Sequence, residues 1–183
     1  WQSKIAYGMD LTLSQKDIKQ RGHSIECRIY AEDPSRNFLP TPGIVHKMRL
    51  PEGPGVRNDV GISEGQEVTS AYDPLLAKLV VWDSDRNAAI DRMDNALSNF
   101  IILGLITNQP FLRDIMQNDS FQKCTFSTGF IEEHYATWNH GELPTEIIVA
   151  ALLGSKSSGQ EVQKLSRDPY SPWSSKGGWR LSN

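Results

Sequence analysis

Gly22-His23-Ser24-Ile25-Glu26-Cys27-Arg28-Ile29-Tyr30-Ala31-Glu32-Asp33-Pro34 is the stretch whose reading decides the fold. Side chains alternate across a strand, so a strand over Ser24 to Ala31 divides this segment into two sets. Ile25, Cys27, Ile29 and Ala31 form the apolar set and suit a core. Glu26, Arg28, Tyr30 and Glu32 form the polar set and point to solvent or to a neighbouring domain. An arginine on a rigid strand is a fixed cation with a planar fork of donors. On spacing alone, Glu26 and Arg28 read first as an ion pair on a solvated sheet. His23, directly before the strand, reads as a packing or capping histidine.

Outward from this strand the chain continues in short extended runs broken by turn residues. Ile44 to Leu50 follows Pro40-Thr41-Pro42-Gly43. Gly53-Pro54-Gly55 turns the chain into Val56 to Asp59. Glu64-Gly65 precedes Glu67 to Thr69, and Lys78 to Trp82 is a further run of β-type residues. Tyr72-Asp73-Pro74 reads as the turn before it. The pattern then becomes helical. Ser84 or Asp85 can cap a helix that carries Ala89, Ile90, Met93, Ala96, Leu97 and Phe100 at spacings of three and four. Gly104 ends a short apolar run, Ile101 to Leu103. A second helix start lies at Thr107 or Asn108 with Pro110 behind it, and Phe111, Leu112, Ile115 and Met116 form its apolar side. The fold class expected is α+β: a short-stranded antiparallel sheet, sandwich- or barrel-like, with packed helices.

Three regions are expected. Residues 1–20 hold a helix end, closed by Gly8, and a polar connector. Residues 21–135 form the main domain. Residues 136–183 hold a helix over Leu143 to Leu153, a flexible linker at Gly154-Ser155-Lys156-Ser157-Ser158-Gly159 and an aromatic tail with Tyr170, Trp173 and Trp179. That tail reads as the opening of a following domain. The chain starts at Trp1 without an initiator methionine, so the expectation is an excised piece of a longer protein.

Composition narrows the function classes. The 183 residues are 38% hydrophobic and 22% charged, which suits a globular chain rather than a disordered one. A net charge of −3 and a pI near 5.8 come with no basic stripe, which argues against a dedicated nucleic-acid binder. No apolar run approaches the roughly 20 residues of a bilayer span, and nothing reads as a signal peptide. Cys27 and Cys124 are the only cysteines, so no disulfide framework is expected and a reducing compartment is the default. His23, His46, His134 and His140 are scattered, and no metal site is expected. There is no phosphate loop, no nucleophile elbow and no dinucleotide-binding glycine pattern.

Taken in order, the segments resemble the C-terminal domain of biotin carboxylase in biotin-dependent acyl-CoA carboxylases. The resemblance is carried by Arg21 through Pro34, then Phe38-Leu39-Pro40-Thr41-Pro42-Gly43, Gly53-Pro54-Gly55-Val56-Arg57, Tyr72-Asp73-Pro74-Leu75-Leu76-Ala77-Lys78-Leu79 and Gly104-Leu105-Ile106-Thr107-Asn108. It spans about residues 1 to 135. Within the methylcrotonyl-, propionyl- and acetyl-CoA carboxylase type, it is closer to the α subunits of the first two than to the stand-alone bacterial acetyl-CoA subunit.

This resemblance implies a two-stage reaction. ATP activates bicarbonate as carboxyphosphate, and the carboxyl group passes to a ureido nitrogen of biotin. Arg28 matches the family's strand arginine, which faces the ureido oxygen as it gains charge. The resemblance also implies biotin, ATP and magnesium as cofactors, at sites completed by an ATP-grasp lobe before Trp1. Its partners would be that lobe, a biotin carboxyl carrier domain and a carboxyltransferase β subunit. Location would be the cytoplasm, or the mitochondrial matrix in a eukaryote. Glu26 is a further candidate for substrate contact and Arg57 for a subunit interface. The fragment alone is expected to be inactive.

Two other readings stand beside this one. Glu64-Gly65-Gln66-Glu67-Val68 with Leu75 through Val80 faintly resembles a biotinyl- or lipoyl-acceptor hairpin that uses Lys78. Alternatively, the chain is a structural assembly domain in which Arg28 only pairs with Glu26.

Overall fold

The alternation of residues 23–30 builds the centre of the molecule. In the computed structural model, β1 (His23–Tyr30) buries Ile25, Cys27 and Ile29 and leaves Ser24, Glu26 and Arg28 exposed. The structure describes residues 1–141 together with Thr145 and Val149. Apart from those two positions, the expectations for 143–153, 154–159 and 168–183 lie outside the described residues.

A short helix, α1 (Gln2–Ala6), and an exposed connector lead to β1. Beyond it come β2 (Glu32–Asp33), β3 (Leu39–Pro40), β4 (Gly43–Ile44), β5 (Lys47–Arg49), β6 (Val56–Val60), β7 (Glu67–Val68) and β8 (Leu75–Asp83). Then α2 (Arg86–Asn99), β9 (Ile101–Leu103), α3 (Gln109–Gln117), α4 (Asp119–Gln122) and α5 (Phe130–Tyr135) follow. The fold is α+β. The main sheet has three strands in the order β1-β8-β6, and three two-stranded pairs surround it: β2 with β3, β4 with β7, β5 with β9. Every pairing is antiparallel. The strands form short separate sheets with no closed barrel among the described residues.

Packing follows from the two periodicities. The inner face of the main sheet presents Ile25, Cys27, Ile29, Leu79 and Val81, and α2 lays Ala89, Ile90, Met93, Ala96 and Leu97 against it. Ile29 and Leu79 are both 0% exposed. Asp85 starts α2 by accepting the Ala88 N–H at 3.0 Å through Oδ1. Phe100 ends it and stays in the core. In α3, Phe111, Ile115 and Met116 are buried, as the spacing predicts, and Leu112 is half-buried.

Several boundaries differ from expectation, each for a physical reason. The run Ile44 to Leu50 is two strands, because Val45 turns inward to complete burial (0% exposed) and the chain changes partner from β7 to β9. β8 starts three residues before Lys78, since Leu76 and Ala77 are core residues. Glu32 does not continue the polar row of β1. The pairing with β8 slips between Ile29 and Tyr30, and Glu32 instead pairs with Pro40. The short apolar run Ile101 to Leu103 is a strand, β9, and pairs with β5.

Gly104 makes the next step possible. Its φ is +116°, and a Cβ there would strike the Ile44 carbonyl oxygen. Only glycine adopts this backbone at low cost. The sharp exit from β9 delivers Thr107 and Asn108 beside the end of β1, where the Asn108 backbone N–H donates to the Tyr30 carbonyl at 3.2 Å.

Asp33 secures the far end of the quoted segment. It is 4% exposed, and its Oδ1 accepts the Ser35 hydroxyl at 2.6 Å and the Ser35 N–H at 3.0 Å. Arg36 donates to Oδ2 at 2.8 Å. The Ser35 hydroxyl, with help from Arg36 and the Ser35 N–H, holds the Asp33 carboxyl down at about 2. A depressed carboxyl contributes stability that is complete above its unfolded value of about 3.9 and is lost as pH falls toward the folded one. Asp33→Asn should therefore weaken the acid-side loss of stability between about pH 4 and pH 2. It should also cost about 2 kcal/mol at neutral pH, as hydrogen bonds to a charged group do. Urea titrations across pH measure both effects.

Candidate active site

The outer face of the main sheet carries the charged residues. In register across β1 and β8, Glu26 lies opposite Val80 and Arg28 opposite Lys78. Across β8 and β6, Val80 faces Arg57 and Lys78 faces Asp59. The strand pattern read from the sequence thus places Glu26, Arg28, Lys78, Arg57 and Asp59 on one surface.

Arg28 is exposed, and its guanidinium lies 5.2 Å from the centre of the Tyr30 ring. Residues two apart on one strand share a face, so the ring forms a shelf for the cation. Among the described residues, no carboxylate forms an ion pair with Arg28. Glu26 therefore does not pair with it, contrary to the ion-pair reading. Both side chains are exposed, so water satisfies them without a bridge, and a surface pair contributes little. Arg28 instead has Lys78, another cation, as its cross-strand neighbour. Such an arrangement suits an incoming anion or a developing negative charge.

Arg57 is committed locally. Its Nε and Nη2 reach the two oxygens of Asp59 at 2.9 and 2.8 Å. These bonds raise its already high pKa, and the charge of Glu26 adds to the shift. Lys78 is half-buried in the middle of β8, between Ala77 and Leu79, which are core residues. An acceptor lysine needs the exposed tip of a turn, so this placement speaks against the acceptor-hairpin reading.

Other singled-out residues have structural places. His23 faces the Arg86 Nη1 at 3.3 Å. Asp73 accepts the Leu75 N–H at 3.1 Å, which makes Tyr72-Asp73-Pro74 the turn into β8, with Tyr72 exposed. Burial, then the nearby Asp73 charge, pushes the Glu32 carboxyl up. The Cys27 thiol is pushed up to about 12 by burial and by Glu26, so it stays protonated on the core side of the strand. A groove of about 910 Å³ lies elsewhere, between Leu50 to Pro54 and α2. Arg28 does not line it, and its Arg92 is already bound to Asp83 and to the Pro54 carbonyl.

Asn108, which the sequence marks as a helix start and as part of the family resemblance, has a further place in the site. Asn108 bonds the backbone on both sides of Ile29: its Oδ1 accepts the Tyr30 N–H at 3.0 Å and its Nδ2 donates to the Arg28 carbonyl at 3.1 Å. No spacing rule signals a side chain that pairs with a strand 80 residues away.

The family described as the biotin carboxylase C-terminal domain matches residues 26–133. This chain belongs to that family. The α subunit of mitochondrial methylcrotonoyl-CoA carboxylase from Dictyostelium discoideum is 39% identical over 100% of this chain and 27% of its own length. The biotin carboxylase of Halalkalibacterium halodurans is 44% identical over 73% of this chain and 29% of its own. In three dimensions, the chain is similar to the biotin carboxylase domain of 2-oxoglutarate carboxylase from Hydrogenobacter thermophilus, described in complex with MgADP, ADP and bicarbonate. That match has a TM-score of 0.74 at 42% identity and covers 78% of this chain and 31% of the other. The chain thus spans about a quarter to a third of the length of each of these three proteins.

Proposed function

We propose that this chain is the C-terminal lobe of an ATP-dependent biotin carboxylase component of a biotin-dependent carboxylase, with Arg28 as its catalytic residue. One observation carries the reading: a guanidinium exposed on a core strand, flanked by Tyr30 and Lys78 and without a carboxylate partner among the described residues. Family membership over residues 26–133 supplies the reaction class.

Biotin, when bound, would supply a ureido nitrogen as nucleophile once a general base of the other lobe takes its proton, with negative charge developing on the ureido oxygen. Arg28 donates hydrogen bonds toward that oxygen and stabilises the charge more in the transition state than in the ground state. Its fixed strand reduces the reorganisation needed at the moment of reaction. Tyr30 limits the swing of the guanidinium, and Lys78 adds positive potential. Glu26 is the lesser candidate for substrate contact.

ATP and magnesium belong to the other lobe in this reading. Among the described residues, no group of three or more His, Cys, Asp or Glu could hold a metal ion. Residues 1–20 are the helix and connector from that lobe, 21–135 the C-terminal domain, and 136–183 a linker and the start of a following domain. Partners are the ATP-grasp lobe, a biotin carboxyl carrier domain and a carboxyltransferase β subunit, with Arg57 at a subunit contact. The location is the bacterial cytoplasm or the mitochondrial matrix.

The test compares the isolated chain with the full-length protein that contains it. The full-length protein should cleave ATP in the presence of bicarbonate and carboxylate free biotin, and the isolated chain should do neither. Carboxylation of free biotin by the isolated chain overturns the proposed division between lobes. Biotinylation of Lys78 by a biotin ligase, read by mass spectrometry, would favour the acceptor reading instead.

A further inference from the structure

β1 is an outer strand of its sheet, so one of its edges lacks a strand partner. Arg28 and Tyr30, two apart, direct their backbone N–H and C=O groups to the same edge. Asn108 meets them there. Its side-chain oxygen takes the Tyr30 N–H at 3.0 Å, its side-chain nitrogen gives to the Arg28 carbonyl at 3.1 Å, and its own backbone N–H gives to the Tyr30 carbonyl at 3.2 Å. One residue thus replaces a segment of missing strand.

The placement is specific. Asn108 is 7% exposed and stands where α3 begins, yet its side chain makes no bond to cap that helix. An asparagine there ordinarily serves its own helix. Here the carboxamide serves β1, immediately beside the slip in pairing between Ile29 and Tyr30. At that point the sheet constrains the backbone least, and unpaired buried groups would be most costly.

We infer that Asn108 is a positioning residue for Arg28. It holds the two peptide units that follow Arg28, and with them the direction in which the guanidinium leaves the strand. It also fixes the backbone of Tyr30, whose ring shelves that guanidinium at 5.2 Å. A displacement of about 1 Å at a reacting group can cost on the order of 100-fold in rate. The inference rests on the proposed role of Arg28.

The experiment uses the full-length carboxylase and measures two rates: carboxylation of free biotin, and bicarbonate-dependent ATP cleavage without biotin. Asn108→Asp keeps the shape and the acceptor for the Tyr30 N–H, but sets an oxygen against the Arg28 carbonyl. Expected is a fall on the order of 10- to 100-fold in kcat for biotin carboxylation. Biotin-independent ATP cleavage per folded enzyme should stay within about twofold, because Arg28 acts in the second stage. In an Arg28→Ala background, Asn108→Asp should cause no further loss, as residues acting as one unit are non-additive. Asn108→Ser, which removes the fork without adding charge, should give the same split and serves if the aspartate variant folds poorly. Equal loss in both rates, or the same loss with and without Arg28, would make Asn108 merely structural and overturn the inference. An unaltered Asn108→Asp enzyme beside a collapsed Arg28→Ala enzyme overturns this inference alone. Full turnover in Arg28→Ala overturns the role of Arg28 and this inference together.

Discussion

Replacing Arg28 with alanine in the full-length carboxylase is expected to slow biotin carboxylation by a factor on the order of 100 to 1,000. That corresponds to about 2.7–4 kcal/mol, the usual cost of deleting one preorganised donor from a site where an oxyanion forms. The loss should appear in kcat, because the donor matters most when the charge has developed. Arg28→Lys should recover only part of it. Lysine keeps the charge but not the planar fork, and it cannot stack on Tyr30 in the same way. Stability should hardly change. The side chain is exposed and makes no ion pair among the described residues, so its removal opens no cavity and strands no buried partner. Steady-state kinetics with free biotin, alongside thermal melting of both proteins, checks the two halves. Wild-type turnover in the alanine variant would return Arg28 to an ordinary surface residue.

The largest loss of stability is expected from Leu79→Ala. Leu79 is 0% exposed in β8, the middle strand of the main sheet, with Cys27 and Asn58 as its register partners on either side. Truncation removes apolar surface and leaves a cavity between the sheet and the helix layer. Such changes cost about 2–5 kcal/mol, depending on how far the site collapses. Urea unfolding should show a lower midpoint with an unchanged slope. A shift below about 0.5 kcal/mol, the range of ordinary surface substitutions, would mean that the sheet and α2 do not form a common core.

The most legible parts of this fold are periodic, while β6 and β7 are marked by the turn residues before them. The alternation through residues 23–30 was readable because one face is wholly buried, so a slip of one residue would expose Ile25, Cys27 and Ile29 together. The spacing in 86–99 marked α2 for the same reason. What was hidden depends on long-range pairing. The run 44–50 looks continuous, but its halves pair with segments 67–68 and 101–103. Nothing local marks the change of partner at Val45. Glu32 fitted the polar row by parity, and the slip after Ile29 could not be read from strand-forming residues alone. The short hairpin of residues 32–40 and the helices at 119–122 and 130–135 were likewise unmarked.

The candidate site divides in the same manner. Arg28 was found because the pattern gave its direction and the family resemblance gave its chemistry. The sequence also allows a Glu26 bridge, but among the described residues Arg28 and Glu26 form no ion pair. Arg57 was noted without its anchor, Asp59, although the two are separated by one residue on a strand and therefore share a face. Asn108 was placed at a helix start, and its second task stayed invisible because it is spent on a strand distant in the chain.

The Asn108 brace crosses from the start of one helix to the end of a sheet, and so ties the pose of Arg28 to the seat of α3. Evolution cannot adjust these independently. If Arg28 acts as proposed, drift in the packing beneath that helix would reach the guanidinium through Asn108, so selection on chemistry would also discipline interior residues that never meet a substrate.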